Sequence, residues 1–484
     1  MYSNTDLISK VKQDMEFQWS VYREINQDLF NILNGISFFH PKQAPMVDIS
    51  SNESSFIDTV NIFSNEFLKN CIHVLKFHPD YDIFSKPLYS RLIATSHILE
   101  DYLDFHGARN NKKWYSYREY VATIRQLSMA GFSQKHIINR LPYLRIDNKS
   151  QFQEASQKTH LFISDSIISL VKEILKKTKV LDISPKQIQW ELLPRLPNGE
   201  NLPFNIDDGY VEELGSCAQQ RINYVKITTE FINIAREFGK YTFYKPYSIE
   251  KIKKLVPSKI NEVEMRKFKM LVQNTQTYFD SYVIYGRGWV HDLRLRKLRS
   301  CFSIIHHLLR MMGRLLHIYE LSHLNIGAKN IYKEVRSEII SLIDQDRLLE
   351  NTVNYCLFYA CHYFNEGQDL AKEILNENIE HSQITVSVPK INGFHMRPCL
   401  LITKIVEHYG GKVELCVGKR SFDGSSILDL QWAGGLISRE KIQTVEFRGD
   451  KRALNDIKIL EENNYCEDSC GKGINLPGEL KYLK

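Results

Sequence analysis

Long apolar runs are missing from this sequence. Its most apolar stretch, Tyr355 to Phe364, is much too short to cross a bilayer, and Met1 to Phe17 carries charges throughout, where a secretory signal would need an apolar core. Cysteine is sparse and unpatterned. There are nine, an odd number, without zinc-like pairing, which argues against a complete disulfide framework. Cys466 and Cys470 form a CxxxC pair near the end, read as two unrelated thiols on a tail. The expectation is a reduced, cytoplasmic protein with no membrane insertion. A large charge of one sign is missing too: net +6 over 484 residues points to no particular partner, and nucleic acid is not expected. No internal repeat or low-complexity tract is found, and residues 1–380 hold no P-loop, Gly-rich dinucleotide turn or nucleophile elbow. No cofactor and no metal are therefore called for.

What is present is the material of a packed core. Hydrophobic residues make up 43% and charged residues 25%, with 25 Tyr and 25 Phe spread along the chain, a composition that favours folded structure over disorder. The length suggests two to four domains. Helical periodicity dominates the first 380 residues. One or two helices are expected up to Asn34, then a loop from Gly35 to Ser55, then helices over Phe56 to Phe77 and Leu88 to Phe105. Tyr115 to Met129 and His136 to Leu144 read as two helices parted by Ala130-Gly131-Phe132-Ser133, with Ser133 as an N-cap. Ile163, Ile167, Leu170 and Ile174 mark another. Pro185, Pro194, Pro197 and Pro203 make 181–215 a linker or an ordered loop between a helical region, 1–180, and a helical bundle region, 216–380. In the latter, helices are expected over Gln219 to Phe238, Val263 to Tyr285, Leu293 to Leu324, from Ile331 to Leu342, Leu348 to Phe364 and Leu370 to Ile379.

Two charged patterns stand out there. His97, Glu100, Asp101, Asp104 and His106 cluster on one helix, where a metal site competes with a solvated acidic face; a second Glu-x-x-His helix is lacking, and the solvated face is preferred. On Leu293 to Leu324, Arg296, Arg299, His306, Arg310, Arg314 and His317 recur at three- to four-residue steps. Such a stripe suits phosphate, nucleic acid or an acidic partner surface, but a solvated face or internal salt bridges are preferred.

Beyond residue 380 the pattern changes. Gln383 to Pro389 alternates like a half-buried strand, Asn392-Gly393 signals a turn, and Pro398 opens a helical run through Leu400, Leu401, Ile405 and Val406. His395 thus sits at the mouth of a helix, where free N–H groups and the dipole hold an anion, and Arg397 adds a guanidinium.

The run Asn392-Gly393-Phe394-His395-Met396-Arg397-Pro398, followed by Lys412 to Lys419, Ser425 to Leu430, Gly434-Gly435-Leu436 with Ile442 to Phe447, and Ala453 to Glu462, resembles HPr, the histidine phosphocarrier of the bacterial phosphoenolpyruvate-dependent sugar phosphotransferase system. The likeness covers residues 381–465, leaving 466–484 as a tail. It implies a mainly α chain that ends in an α+β open-faced β-sandwich, four antiparallel strands with helices on one face, in βαββαβα order. It further implies that His395 accepts a phosphoryl group from an upstream phosphotransferase enzyme and passes it to a sugar-specific acceptor protein, with Arg397 and the amides of Met396 and Arg397 holding the phosphate. Ser426, or Ser425 in a competing register, falls where the family carries a serine phosphorylated by a serine kinase. Asp429 and Gln431 depart from that family's apolar docking patch, and Met396 from its usual small residue. Fusion to a large helical region suggests regulation of that region by the phosphate state, or a domain that only docks partners.

Overall fold

The computed structural model describes residues 49–183, 217–284, 292–323, 330–468 and 470–483. They fall into two compact units. One takes the residues up to 183 with Phe243–Lys269 and Ile304–Ala360; the other takes 217–242, Met270–Ser303 and the chain from Cys361 onward. The expected helices before Asn34, and the proline-rich stretch, lie outside the described residues.

Helices build almost everything among the described residues before 380: α1 (Ile49–Phe77), α2 (Lys86–Phe105), α3 (Tyr115–Arg140), α4 (Lys149–Val180), α5 (Cys217–Phe238), α6 (Ile249–Leu255), α7 (Glu262–Tyr282), α8 (Leu293–His323), α9 (Asn330–Ile343), α10 (Gln345–Glu350) and α11 (Phe358–Asn378). Among the described residues, no helix is long and apolar enough to cross a membrane.

The first unit buries aromatic side chains heavily; Phe67, Phe84, Tyr89, Tyr117, Tyr120, Phe152 and Phe162 are almost completely enclosed. Several buried tyrosine hydroxyls find partners, as buried polar groups usually do. Tyr117 donates to Ser64 Oγ at 2.9 Å, and Tyr355 Oη accepts from Gln134 Nε2 at 3.0 Å.

Several helix boundaries differ from those expected. α1 begins at Ile49, inside the expected loop. α3 runs unbroken through Gly131 and Ser133. Gly131 is there for space: a Cβ would lie 2.3 Å from the Tyr89 ring. Ser133 caps nothing, because its hydroxyl donates back to the Met129 carbonyl at 3.1 Å. α11 likewise passes through Gly367, where a Cβ would meet the Phe231 ring at 2.6 Å. The segment before it is wound as a π turn over Asn351–Leu357.

The acidic face on α2 is not solvated as expected. Glu100, 4% exposed, pairs with Arg118 at 2.6 Å and Arg125 at 2.6 Å, and Arg118 also holds Asp104 at 2.7 Å. His97 lies apart, on the exposed side beside Asp101. Burial opposes the charge on Asp104, but the Arg118 and Arg109 guanidiniums outweigh it and hold the carboxyl at about 2.

Within the second unit, a four-stranded antiparallel sheet is formed by β1 (His381–Ser387), β2 (Val413–Val417), β3 (Arg420–Asp423) and β4 (Thr444–Asp450), in spatial order β1-β4-β2-β3. With α12 (Met396–Tyr409), α13 (Ile427–Glu440) and α14 (Lys451–Glu462), the order along the chain is βαββαβα. Register pairs Val386 with Val445, and Ile384 and Leu415 with Phe447. Alternation puts Val413, Leu415, Val417, Val445 and Phe447 in one core with Ile402, Ile405, Leu430, Ile437, Leu454 and Ile457 from the helices. Gly434 to Leu436, expected to lead into the last strand, belong to α13 instead. A Cβ on Gly434 would sit 2.9 Å from the Phe394 carbonyl oxygen, so glycine lets α13 lie against the loop before His395.

Candidate functional site

The loop that presents His395 turns on two left-handed residues, Asn392 (φ 54°) and Gly393 (φ 57°), types that tolerate this backbone region. The chain then enters α12 with His395 as its N-cap in extended conformation (φ −80°, ψ −174°), and the side chain makes no capping bond. The imidazole is thus left for other work. The first-turn N–H groups of Met396 and Arg397 precede the start of the helical ladder, Pro398 has none to offer, and the ladder begins with Cys399 N–H donating to the His395 carbonyl at 3.2 Å. Two amides and the positive end of the helix dipole therefore converge beside the ring.

The other half of the site comes from a stretch expected to be a tail. Asn464, Tyr465 and Cys466 are successively left-handed (φ 49°, 53° and 54°), a conformation that asparagine tolerates but that costs about 1–2 kcal/mol each for tyrosine and cysteine. The turn is held by its side chains: Tyr465 is buried and donates to the Ser387 carbonyl at 2.7 Å, and Cys466 is fully buried. Its consequence is the position of Glu467. That carboxylate, 4% exposed, places Oε1 2.9 Å from Nε2 of His395, whose side chain is 30% exposed. The two atoms are at hydrogen-bonding distance but are not aligned for a hydrogen bond, so the contact acts through charge more than through a directed bond. Because Nε2 itself is buried, the part of the ring that reaches solvent lies elsewhere.

Past Glu467 the chain folds back as a small hairpin. Glu467 bridges Gly473, Asp468 Oδ1 accepts from the amides of Cys470 and Lys472 at 2.8 Å each, and Ile474 N–H donates to the Cys466 carbonyl at 2.9 Å. Gly473 lies flat against the Arg397 guanidinium, where a Cβ would come within 2.3 Å of it. Arg397 Nη2 donates weakly to the Ile474 carbonyl at 3.4 Å, while its Nε has no partner. Leu480 and Leu483 then return to the core below, so this segment is packed structure. No sequence signal marks Glu467: it lies beyond the recognised motif, in a stretch without periodicity.

Ser426 is the N-cap of α13, its Oγ accepting from the Asp429 amide at 3.2 Å. Ser425 lies outside the helix and donates to Asp423 Oδ1 at 2.8 Å. Around the site, Met396 and Leu400 on α12 and Leu428 and Trp432 on α13 are exposed, Trp432 by 73% and Leu428 by 76%.

The arginine stripe of α8 divides. Arg299 makes a paired contact with Asp280, Nη2 to Oδ2 at 2.8 Å, next to Lys297–Glu366 at 3.1 Å. Arg296, one turn earlier, gives its carbonyl to the Ser300 hydroxyl at 3.0 Å. Arg310 and Arg314 belong to the first unit and, among the described residues, meet no carboxylate at ion-pair distance. Arg296 and Arg299 thus fall in the second unit, and Arg310 and Arg314 in the first.

Among the described residues, no group of three or more His, Cys, Asp or Glu is placed to hold a metal ion. Comparison with protein-family models, with curated proteins and with solved structures finds no match.

Proposed function

We propose that His395 accepts a phosphoryl group from a phosphorylated partner protein, as the resemblance to HPr implies, and that the phosphate state is passed to the attached helices. The observation that carries this is the His395–Glu467 contact beside the first-turn amides of Met396 and Arg397. A carboxylate at Nε2 favours the tautomer with its proton there, leaving Nδ1 with the lone pair. Nδ1 attacks phosphorus, the bond from phosphorus to the donor breaks, and its electron pair stays with the donor. The ring, now carrying phosphoryl on Nδ1 and a proton on Nε2, is cationic, and Glu467 offsets that charge. The new phosphoryl dianion is met by the helix start and by Arg397. The βαββαβα order supports the same function, and the exposed Met396, Leu400, Leu428 and Trp432 give a partner protein an apolar surface to dock on.

Coupling to the helices has a physical route. Asn233 and Thr229 of α5 donate to the carbonyls of His408 and Tyr409, and Arg236 donates to that of Glu407, all at the C-terminal end of α12. His395 caps the other end of the same helix, so a charge added there loads an element that α5 already grips. Phosphorylation of Ser426, at the start of α13 and near Asp423 and Asp429, would tune docking on the same surface.

The test is incubation of the full chain with phosphoenolpyruvate and an upstream phosphotransferase enzyme, followed by mapping of acid-labile phosphate in wild type and His395→Ala. Label on wild type alone is expected. The docking-only function is favoured by one feature, the cover that Gly473 and Ile474 place over Arg397. Absence of label with a donor shown to be active would establish it in place of transfer.

A further inference from the structure

A second basic cluster, in the first unit, is untouched by this function. On α8, His307, Arg310 and Arg314 follow at three- and four-residue steps and so share a face, as do Arg266 and Lys269 on α7. The two helices meet closely there, since a Cβ at Gly313 would lie 3.9 Å from Arg266 Cγ. α3 closes the cluster from a third side. Arg314 Nη1 donates to Gln126 Oε1 at 3.2 Å, the Arg310 guanidinium lies 5.9 Å from the Phe132 ring centre, and His136 stacks on His307 with centroids 4.0 Å apart. From α2, Lys86, only 8% exposed, reaches to 3.4 Å from His136 Nδ1.

Acidic compensation is thin. Glu262 is already shared between Arg266 and His317, and among the described residues no carboxylate pairs with Arg310, Arg314 or Lys269. Burial pushes the pKa of all three down, and neighbouring guanidiniums add to this for Arg314 and Lys269. His307 Nδ1 is buried without a hydrogen-bond partner. Arg299 and Arg294, on the earlier half of the same helix, are each matched to carboxylates. Half-buried guanidiniums left without an acid are unfavourable for the empty protein, and such groups persist where a ligand supplies the missing charge.

We infer that this face binds a small molecule carrying two or more phosphate groups, held by Arg310 and Arg314, with Lys269 and Arg266 at the rim. Guanidinium forks match phosphate oxygens. The four cations, with Glu262 and Glu320 set against them, leave two positive charges, and Lys86 behind them adds a third, more than one phosphate of about −2 neutralises. Lys86 and His307 are too enclosed to track a nucleic-acid backbone, whose contacts need exposed cations.

The experiment is calorimetric titration and thermal unfolding of the full chain with pyrophosphate, against orthophosphate and sulfate at equal ionic strength. Wild type is expected to bind pyrophosphate and to melt higher in its presence, with at least tenfold weaker binding in Arg310→Gln and Lys269→Gln and none of that loss in Lys158→Gln, an exposed control. Without ligand, Arg310→Gln should melt no lower than wild type, which separates lost binding from lost folding. A wild type indifferent to pyrophosphate overturns the site, as does an equal loss in Lys158→Gln. Tighter binding to duplex RNA or DNA than to pyrophosphate overturns it in favour of a nucleic-acid surface.

Discussion

Glu467→Gln removes one charge from the His395 site and almost nothing else, so its effect on phosphoryl transfer can be sized. The carboxylate is 2.9 Å from Nε2 and 4% exposed. Two unit charges at that separation interact by roughly 6 kcal/mol at an effective dielectric near 20. That is an upper bound, because His395 is 30% exposed and the pair is not aligned as a hydrogen bond. Contacts to charged groups usually contribute about 1.5–3 kcal/mol net, and the misalignment argues for the lower part of that range. At about 1.4 kcal/mol per tenfold in rate, the variant should transfer roughly 10- to 100-fold more slowly. The assay is the initial rate of acid-labile label incorporation over a series of donor concentrations. The loss should fall on kcat, because Glu467 touches the ring and not the exposed docking surface. Nitrogen-15 NMR of the His395 ring supplies a readout that needs no donor: the population protonated on Nε2 should drop in Glu467→Gln. A variant with the wild-type rate and the wild-type tautomer would refute the role given to Glu467, whether or not His395 is phosphorylated.

Other consequences are simpler to measure. Ser426→Ala deletes the cap of α13 and should cost about 1 kcal/mol, seen as a lower urea midpoint, whereas Ser426→Asp should retain most of it. Arg118→Met leaves Glu100 buried beside a single remaining partner, Arg125, and should cost about 3–5 kcal/mol, in contrast to a surface pair such as Lys158–Glu154. Asp104 titrates near 2, below its ordinary range, so it contributes stability above pH 4 that is lost as pH falls through 2; urea unfolding between those limits should show Asp104→Asn with a flatter pH dependence than wild type. Gly131→Ala drives a methyl into the Tyr89 ring and should lower the melting temperature, by about 1–3 kcal/mol of overpacking strain.

Helices and strands were legible where periodicity was local, and the failures share one cause. Gly131 and Gly367 read as breaks because glycine is a poor helix former, and Gly434 read as leading into the last strand. Each instead sits mid-helix under a Tyr ring, a Phe ring or a backbone carbonyl from a distant part of the chain. A sequence window records the propensity and not the visitor. The acidic face of α2 failed in the same way, since its solvation depended on whether Arg118 and Arg125, on another helix, came to meet it. The helix-mouth position of His395 was legible because strand, Asn-Gly turn, histidine and proline are contiguous.

Glu467 was not legible, and the reason bears on how the site works. Its place depends on three consecutive left-handed residues, two of which, Tyr465 and Cys466, are of types that do not favour that region. Such a turn persists only if surrounding contacts over-determine it. Tyr465 is the strongest of these, with its ring buried against Phe394 and its hydroxyl on Ser387. Tyr465→Phe keeps the ring and removes only the hydroxyl. If the turn exists to aim Glu467, that variant should slow phosphoryl transfer by more than its small loss of stability explains. Combined with Glu467→Gln it should add almost nothing, because both changes break one link. Additive losses in the double variant would mean that the strained turn serves the fold alone.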